Sequence, residues 1–327
     1  MNKKSDHSFE SINYSLRPNK VIARKLIFES LRRLSVALNL GDYRYIGMGS
    51  VWFVDVGLAH RVLRIGSLIS IEASDIGFRR ALFNAPYACV KVKHGYTADI
   101  LPTLKLAAHR NIVWLDHDTG IDGPAINDVQ VLVDECSDGS IFLVTVNANI
   151  KELKRKIDPQ RPDGVLAKDV EQFLVQHAGD NVPRGLTETE IEEDQFPTLV
   201  LRILESAIGS SLRFSGRTTK FVKLFDLVYR DGPAMATIGG LIGSGNEARA
   251  ARRAASSPDW PGIVSNLIQA PPLTLKEKMS LDRMLPRSRR PSEALVRKRA
   301  GFPLKRAQIE SYFRHYASYP TFAEFQL

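Results

Sequence analysis

Between residues 43 and 147 short apolar runs alternate with amphipathic stretches, and this rhythm constrains the fold more than any other feature of the chain. Tyr43-Arg44-Tyr45-Ile46-Gly47-Met48-Gly49-Ser50 reads as a strand running into a glycine turn, with a helix expected over 51–63. Residues 68–72 predict a second strand ending in Glu72, followed by a brief helix over 77–84. A third strand over 89–94 precedes a helix over 98–109, a fourth over 111–116 ends in Asp116, and a fifth spans 140–147. Strands separated by helices need crossovers, so the sheet is mainly parallel and covered on both faces. Ahead of it, residues 20–38 place Ile22, Leu26, Ile27, Leu31, Leu34 and Leu38 on one helical face, with Arg24, Lys25, Arg32 and Arg33 opposite and Asn19 as cap.

The rhythm then breaks. Residues 150–195 are polar and read as an insertion carrying a solvated helix near 188–194, and a helix near 198–210 follows. Apolar runs over 220–229 and 234–240 flank Arg230-Asp231-Gly232-Pro233, which predicts a hairpin and hence an antiparallel last strand. Parallel strands closed by such a hairpin form the layout of the α/β, Rossmann-like class I methyltransferases. The division that follows is a methyltransferase-like domain over 1–245 and a basic α-helical region over 246–327. Charge supports that boundary: 246–327 holds 15 Lys+Arg against 7 Asp+Glu, whereas 1–245 holds 30 against 29. A basic section on a near-neutral body suits a phosphate-rich partner such as nucleic acid, or equally a solvated helical surface.

Three clusters lie where such a sheet builds its site. Gly47, Gly49 and Ser50 allow close approach to the backbone at the first turn, and Glu72 can accept both ribose hydroxyls of a nucleoside. Phe53 stands where the third glycine of a dinucleotide fingerprint would fall, which disfavours NAD and favours S-adenosylmethionine, a nucleoside without phosphate. Asp99, after the third strand, either meets the amine of adenine or simply caps its helix. Asp116, His117 and Asp118 end the fourth strand; the two aspartates can take a proton, orient a substrate or hold Mg2+, with Asn147 as a third oxygen. The competing reading is a turn in which these acids satisfy loop amides. Neither an amino-methylation tetrapeptide nor a Pro-Cys loop, Walker loop, zinc-protease pair or serine elbow is present.

As a set, Asn13-Tyr14-Ser15-Leu16-Arg17-Pro18, the Tyr45–Ser50 turn, Ile71-Glu72, Trp114-Leu115-Asp116-His117-Asp118, Val144-Thr145-Val146-Asn147 and Pro272-Leu273-Thr274-Leu275-Lys276-Glu277-Lys278 resemble a bacterial O-methyltransferase family. The likeness runs through nearly the whole chain. It implies a class I fold, S-adenosylmethionine as cofactor and methyl transfer to oxygen, and members occur among defence-associated genes. A non-catalytic nucleic-acid-binding protein that keeps the nucleoside pocket is the alternative from a different class. Two cysteines are too few for a disulfide framework, and no apolar run is long enough to span a bilayer or follow the first lysines as a leader. A cytoplasmic enzyme is the expectation.

Overall fold

Seven strands form a single sheet in the order β3-β2-β1-β4-β5-β7-β6. The computed structural model describes residues 17–49 and 51–321. Its strands are β1 (Arg44–Met48), β2 (Ser67–Glu72), β3 (Val90–His94), β4 (Asn111–Asp116), β5 (Ile141–Asn147), β6 (Lys220–Arg230) and β7 (Ala234–Gly243). The first five pair in parallel, and β7 enters antiparallel between β5 and β6. This is the expected Rossmann-like class I layout. Because β1 pairs with both β2 and β4, chain direction across the sheet reverses at β1, and a crevice opens beyond the carboxyl ends of these three strands.

The central strands are apolar on both faces, and alternation sorts their side chains into two cores. Ile46, Val113, Leu115 and Phe142 face α5 (Ala125–Glu135), α6 (Ile150–Ile157), α7 (Ala167–Ala178) and α8 (Phe196–Phe214). Tyr45, Ile112, Trp114 and Leu143 face α1 (Pro18–Leu38), α2 (Val54–Leu63), α9 (Gly245–Ala255) and, farther out, α10 (Leu275–Asp282), α11 (Glu293–Ala300) and α12 (Arg306–His315). The two remaining helices, α3 (Asp75–Asn84) and α4 (Thr97–Ile100), follow β2 and β3.

Three expectations are corrected. Asn19 does not cap α1; the helix starts at Pro18, and the Asn19 amide bonds Arg230 O, Asp231 Oδ1 and Ala270 O. The helix expected over 98–109 is only α4 followed by two 3₁₀ turns, Leu101–Leu104 and Leu106–Ala108, because Pro102 cannot donate the next helical hydrogen bond. The 150–195 segment is not a solvated appendage: Leu153, Val170 and Leu174 enter the core, and its acidic end forms a 3₁₀ turn at Thr189–Ile191.

His315 gives the outer helices a pH dependence. Burial first, and the Arg314 charge second, lower its pKa from 6.5 to about 4. The unfolded chain therefore binds the proton more readily than the folded one, so stability falls as pH drops from 6.5 towards 4. Urea unfolding is expected to cost about 2 kcal/mol less at pH 5 than at pH 7 through this residue. His315→Gln should remove that share of the pH dependence; an unchanged profile would contradict it.

Candidate active site

Helix α1 reaches the crevice because a distant residue fixes its start. Pro18 occupies its first turn, and Arg17 supplies no side-chain cap. The Asp231 carboxylate, in the β6–β7 turn, instead accepts the backbone N–H groups of Asn19 at 3.2 Å and Lys20 at 2.6 Å. An acid at that position satisfies orphan amides and complements the helix dipole. With α1 so placed, Lys20 Nζ stands 2.5 Å from Asp116 Oδ2, and Arg24 Nε donates to Asp55 in the first turn of α2. Burial penalises both cations, but the facing carboxylates outweigh it and raise their pKa values.

These side chains wall a cleft of about 700 Å³ over the ends of β1, β2 and β4. Its lining brings together Gly47, Gly49, Glu72, Asp116 and Asp118, all singled out by sequence, with Lys20, Arg24, Tyr45, Asp55 and His117. Ser50 lies outside the described residues. Phe53, also in the lining, adopts a left-handed conformation (φ 45°) at the entry to α2, a strained state for a bulky residue.

Glu72 is held in a cradle of glycines. Its Oε1 accepts the backbone N–H of Ser74 at 2.9 Å, just ahead of α3. A Cβ added to Gly49 would collide with Oε2, and one added to Gly77 would lie 2.6 Å from Cδ. Both positions therefore require glycine while the carboxylate keeps this place.

Asp99 is not brought in. It is exposed on the first turn of α4, whose cap position is Tyr96, and Tyr96 rather than Asp99 lines the cleft. Asn147 follows β5 to the expected strand end, but its amide donates to Glu152 at 2.8 Å and its oxygen accepts from Asn149 N at 2.9 Å. Asn147 lines a neighbouring pocket with Glu152 instead. Among the described residues no group of three or more His, Cys, Asp or Glu is placed to share a metal ion. Asn147 is thus not placed to join Asp116 and Asp118.

His117, only 2% exposed, stands with Nε2 3.3 Å from Oδ2 of the buried Asp128, at an angle that forms no hydrogen bond. Thr97 Oγ1 donates to the same Asp128 oxygen at 2.7 Å. Sequence reading missed Asp128, Thr97, Lys20 and Asp55, and it set Arg24 on the solvated side of α1, where the structure buries it. The available signal was the four-residue spacing of Lys20 and Arg24, which puts two cations on one helical face.

Residues 12–327 match a family model described as "Putative O-methyltransferase". No curated protein matches the chain. Among solved structures, Trm1 from Pyrococcus horikoshii in complex with S-adenosyl-L-methionine aligns with a TM-score of 0.48 at 10% identity, over 77% of this chain and 61% of that one. The chain thus spans less than two thirds of Trm1. The O-methyltransferase from Bacillus cereus in complex with SAH aligns with a TM-score of 0.36 at 12% identity, over 69% and 93% of the two chains.

Proposed function

The chain belongs to this O-methyltransferase family, and from that premise we propose that it transfers a methyl group from S-adenosylmethionine to an oxygen of its acceptor. The observation that carries the cofactor is Glu72, cradled by Gly49 and Gly77 at the switch point of the sheet. A carboxylate there suits a ribose diol, and the cleft volume suits a nucleoside-sized ligand. Gly47 and Gly49 line the cleft at the β1 turn, and Gly49 leaves its side-chain space to the Glu72 carboxylate. When bound, the cofactor supplies a methyl group already activated by the sulfonium charge.

The chain's own task is then to hold the acceptor hydroxyl and take its proton. Asp116 is the proposed acceptor of that proton, with Asp118 second on the turn. Lys20 engages Asp116 Oδ2 and so fixes the rotamer of the carboxylate. A rigidly held base keeps the reacting oxygen in line with the methyl group.

Nucleic acid is the acceptor class that the outer helices favour. Arg287, Arg289, Arg297, Lys298, Arg299, Lys305 and Arg306 are all exposed, and exposed cations of this kind position a phosphate backbone without reading bases. Incubating the protein with methyl-labelled S-adenosylmethionine and cell-extract fractions tests both parts. Label that survives protease but not nuclease, and that declines steeply as salt rises, is the expected result. Nuclease-resistant, protease-sensitive label would move the acceptor to protein. Cofactor binding with no labelled product in any fraction would favour the non-catalytic reading.

A further inference from the structure

His117 and Asp128 form a buried pair at the cleft that the step at Asp116 leaves unused. Alternation along the chain sends successive side chains to opposite faces of the sheet. Asp116 turns to α1 and meets Lys20, while His117 turns to α5 and meets Asp128. The backbone beneath them is fixed, since His117 N donates to Thr145 O of β5 at 2.9 Å and carries the ladder one residue past Asp116. The imidazole therefore lines the cleft beside Asp116 and Asp118.

Burial makes this pair more than a neighbour of the site. Asp128 is 1% exposed, and a carboxylate so far from water needs donors. Thr97, at the start of α4, gives one to Oδ2 at 2.7 Å. His117 Nε2 faces the same oxygen at 3.3 Å and has no hydrogen-bond partner among the described residues. A pair kept only to join α5 to β4 would be better served by a straight hydrogen bond or by apolar residues of similar size. A catalytic pair is different, because its contacts tighten when the reacting complex forms. With Nε2 turned to the acid, the ring keeps its proton there and Nδ1 is its basic nitrogen. A buried aspartate behind a histidine holds that tautomer and stabilises the imidazolium that forms.

We propose that His117, oriented by Asp128, relays to solvent the proton that Asp116 takes from the acceptor hydroxyl. This rests on the methyl-transfer reading above. Transfer forms the acceptor O–C bond, breaks the methyl C–S bond with its electron pair left on sulfur, and frees the hydroxyl proton. That proton passes from Asp116 through water in the cleft to Nδ1 of His117, and the ring then releases it to solvent. An ordinary imidazole binds a proton about 400-fold more tightly than an ordinary aspartate, so the step from acid to ring runs downhill. His117 is thus a catalytic residue, and Asp128, which acts through it, is a positioning residue.

Nitrogen-15 NMR of the full chain tests the pair without any acceptor. At alkaline pH the His117 ring, assigned through the backbone resonances of 116–118, should carry its proton on Nε2 and none on Nδ1. A proton on Nδ1 would overturn the proposal. Transfer of labelled methyl groups to the protease-treated nucleic-acid fraction of a cell extract tests the relay. His117→Ala should lower kcat at least about 100-fold, with KM and cofactor affinity within about twofold of wild type. Added imidazole, which fits the vacated space, should raise that rate at least about tenfold, a rescue that a purely structural histidine would not show. Asp128→Asn should fall between wild type and His117→Ala in kcat, with KM unchanged. Full activity in His117→Ala would overturn the proposal, as would a loss that imidazole leaves untouched in a variant with normal cofactor affinity. If the alanine variant does not fold, the tautomer in wild type decides. Wild type that labels no fraction removes the transferase reading and this proposal with it.

Discussion

Asp116→Asn is expected to abolish methyl transfer while leaving affinity for S-adenosylmethionine within a few-fold of wild type. The carboxylate ends β4, on the far side of β1 from Glu72, so the charge removed is not at the ribose. The same change should lower stability by about 3 kcal/mol, because it leaves the Lys20 ammonium largely buried without its counter-charge. That figure is the low end for a buried pair, since the Asp116 side chain keeps 19% exposure. Urea unfolding reads the stability, and the labelled transfer assay reads the chemistry. A Lys20→Met, Asp116→Asn double variant separates them, because it should regain stability and still transfer no methyl group. Full activity in an Asp116→Asn, Asp118→Asn variant would remove both acids from the mechanism.

Glu72→Ala should weaken S-adenosylmethionine binding by at least about tenfold. Each hydrogen bond from a ribose hydroxyl to a carboxylate is worth about 1.5–3 kcal/mol in a partly buried site. The fold should survive, because the side chain's bond to Ser74 N is a local one at the entry to α3. Wild-type affinity in this variant would place the nucleoside elsewhere.

What was legible in the sequence is what local pattern determines. β4 occupies the residues read for it, and Glu72 and Asp116 fall at strand ends because apolar runs stop where the sheet meets solvent. The hairpin was equally clear from Asp231-Gly232-Pro233 between two apolar runs. The parts that escaped depend on contacts remote in the chain. Lys20 and Arg24 face the cleft only because Asp231, more than 200 residues away, fixes the start of α1. Asp128 looks like any acid on an amphipathic helix until β4 and α4 bring His117 and Thr97 against it. Asn147 illustrates the reverse: its strand position was read correctly, but Glu152, in the first turn of the next helix, captures its amide. Asp99 stands apart from the cleft for a related reason, since α4 begins at Thr97 and leaves Asp99 exposed with Tyr96 at the cleft.

Equilibrium dialysis of the wild-type protein against labelled S-adenosylmethionine is the most direct measurement. Saturable binding of one cofactor per chain is predicted, competed by S-adenosylhomocysteine and weakened at least about tenfold by Glu72→Ala. No saturable binding by wild type, or binding that Glu72→Ala leaves unchanged, would contradict the assignment of this cleft.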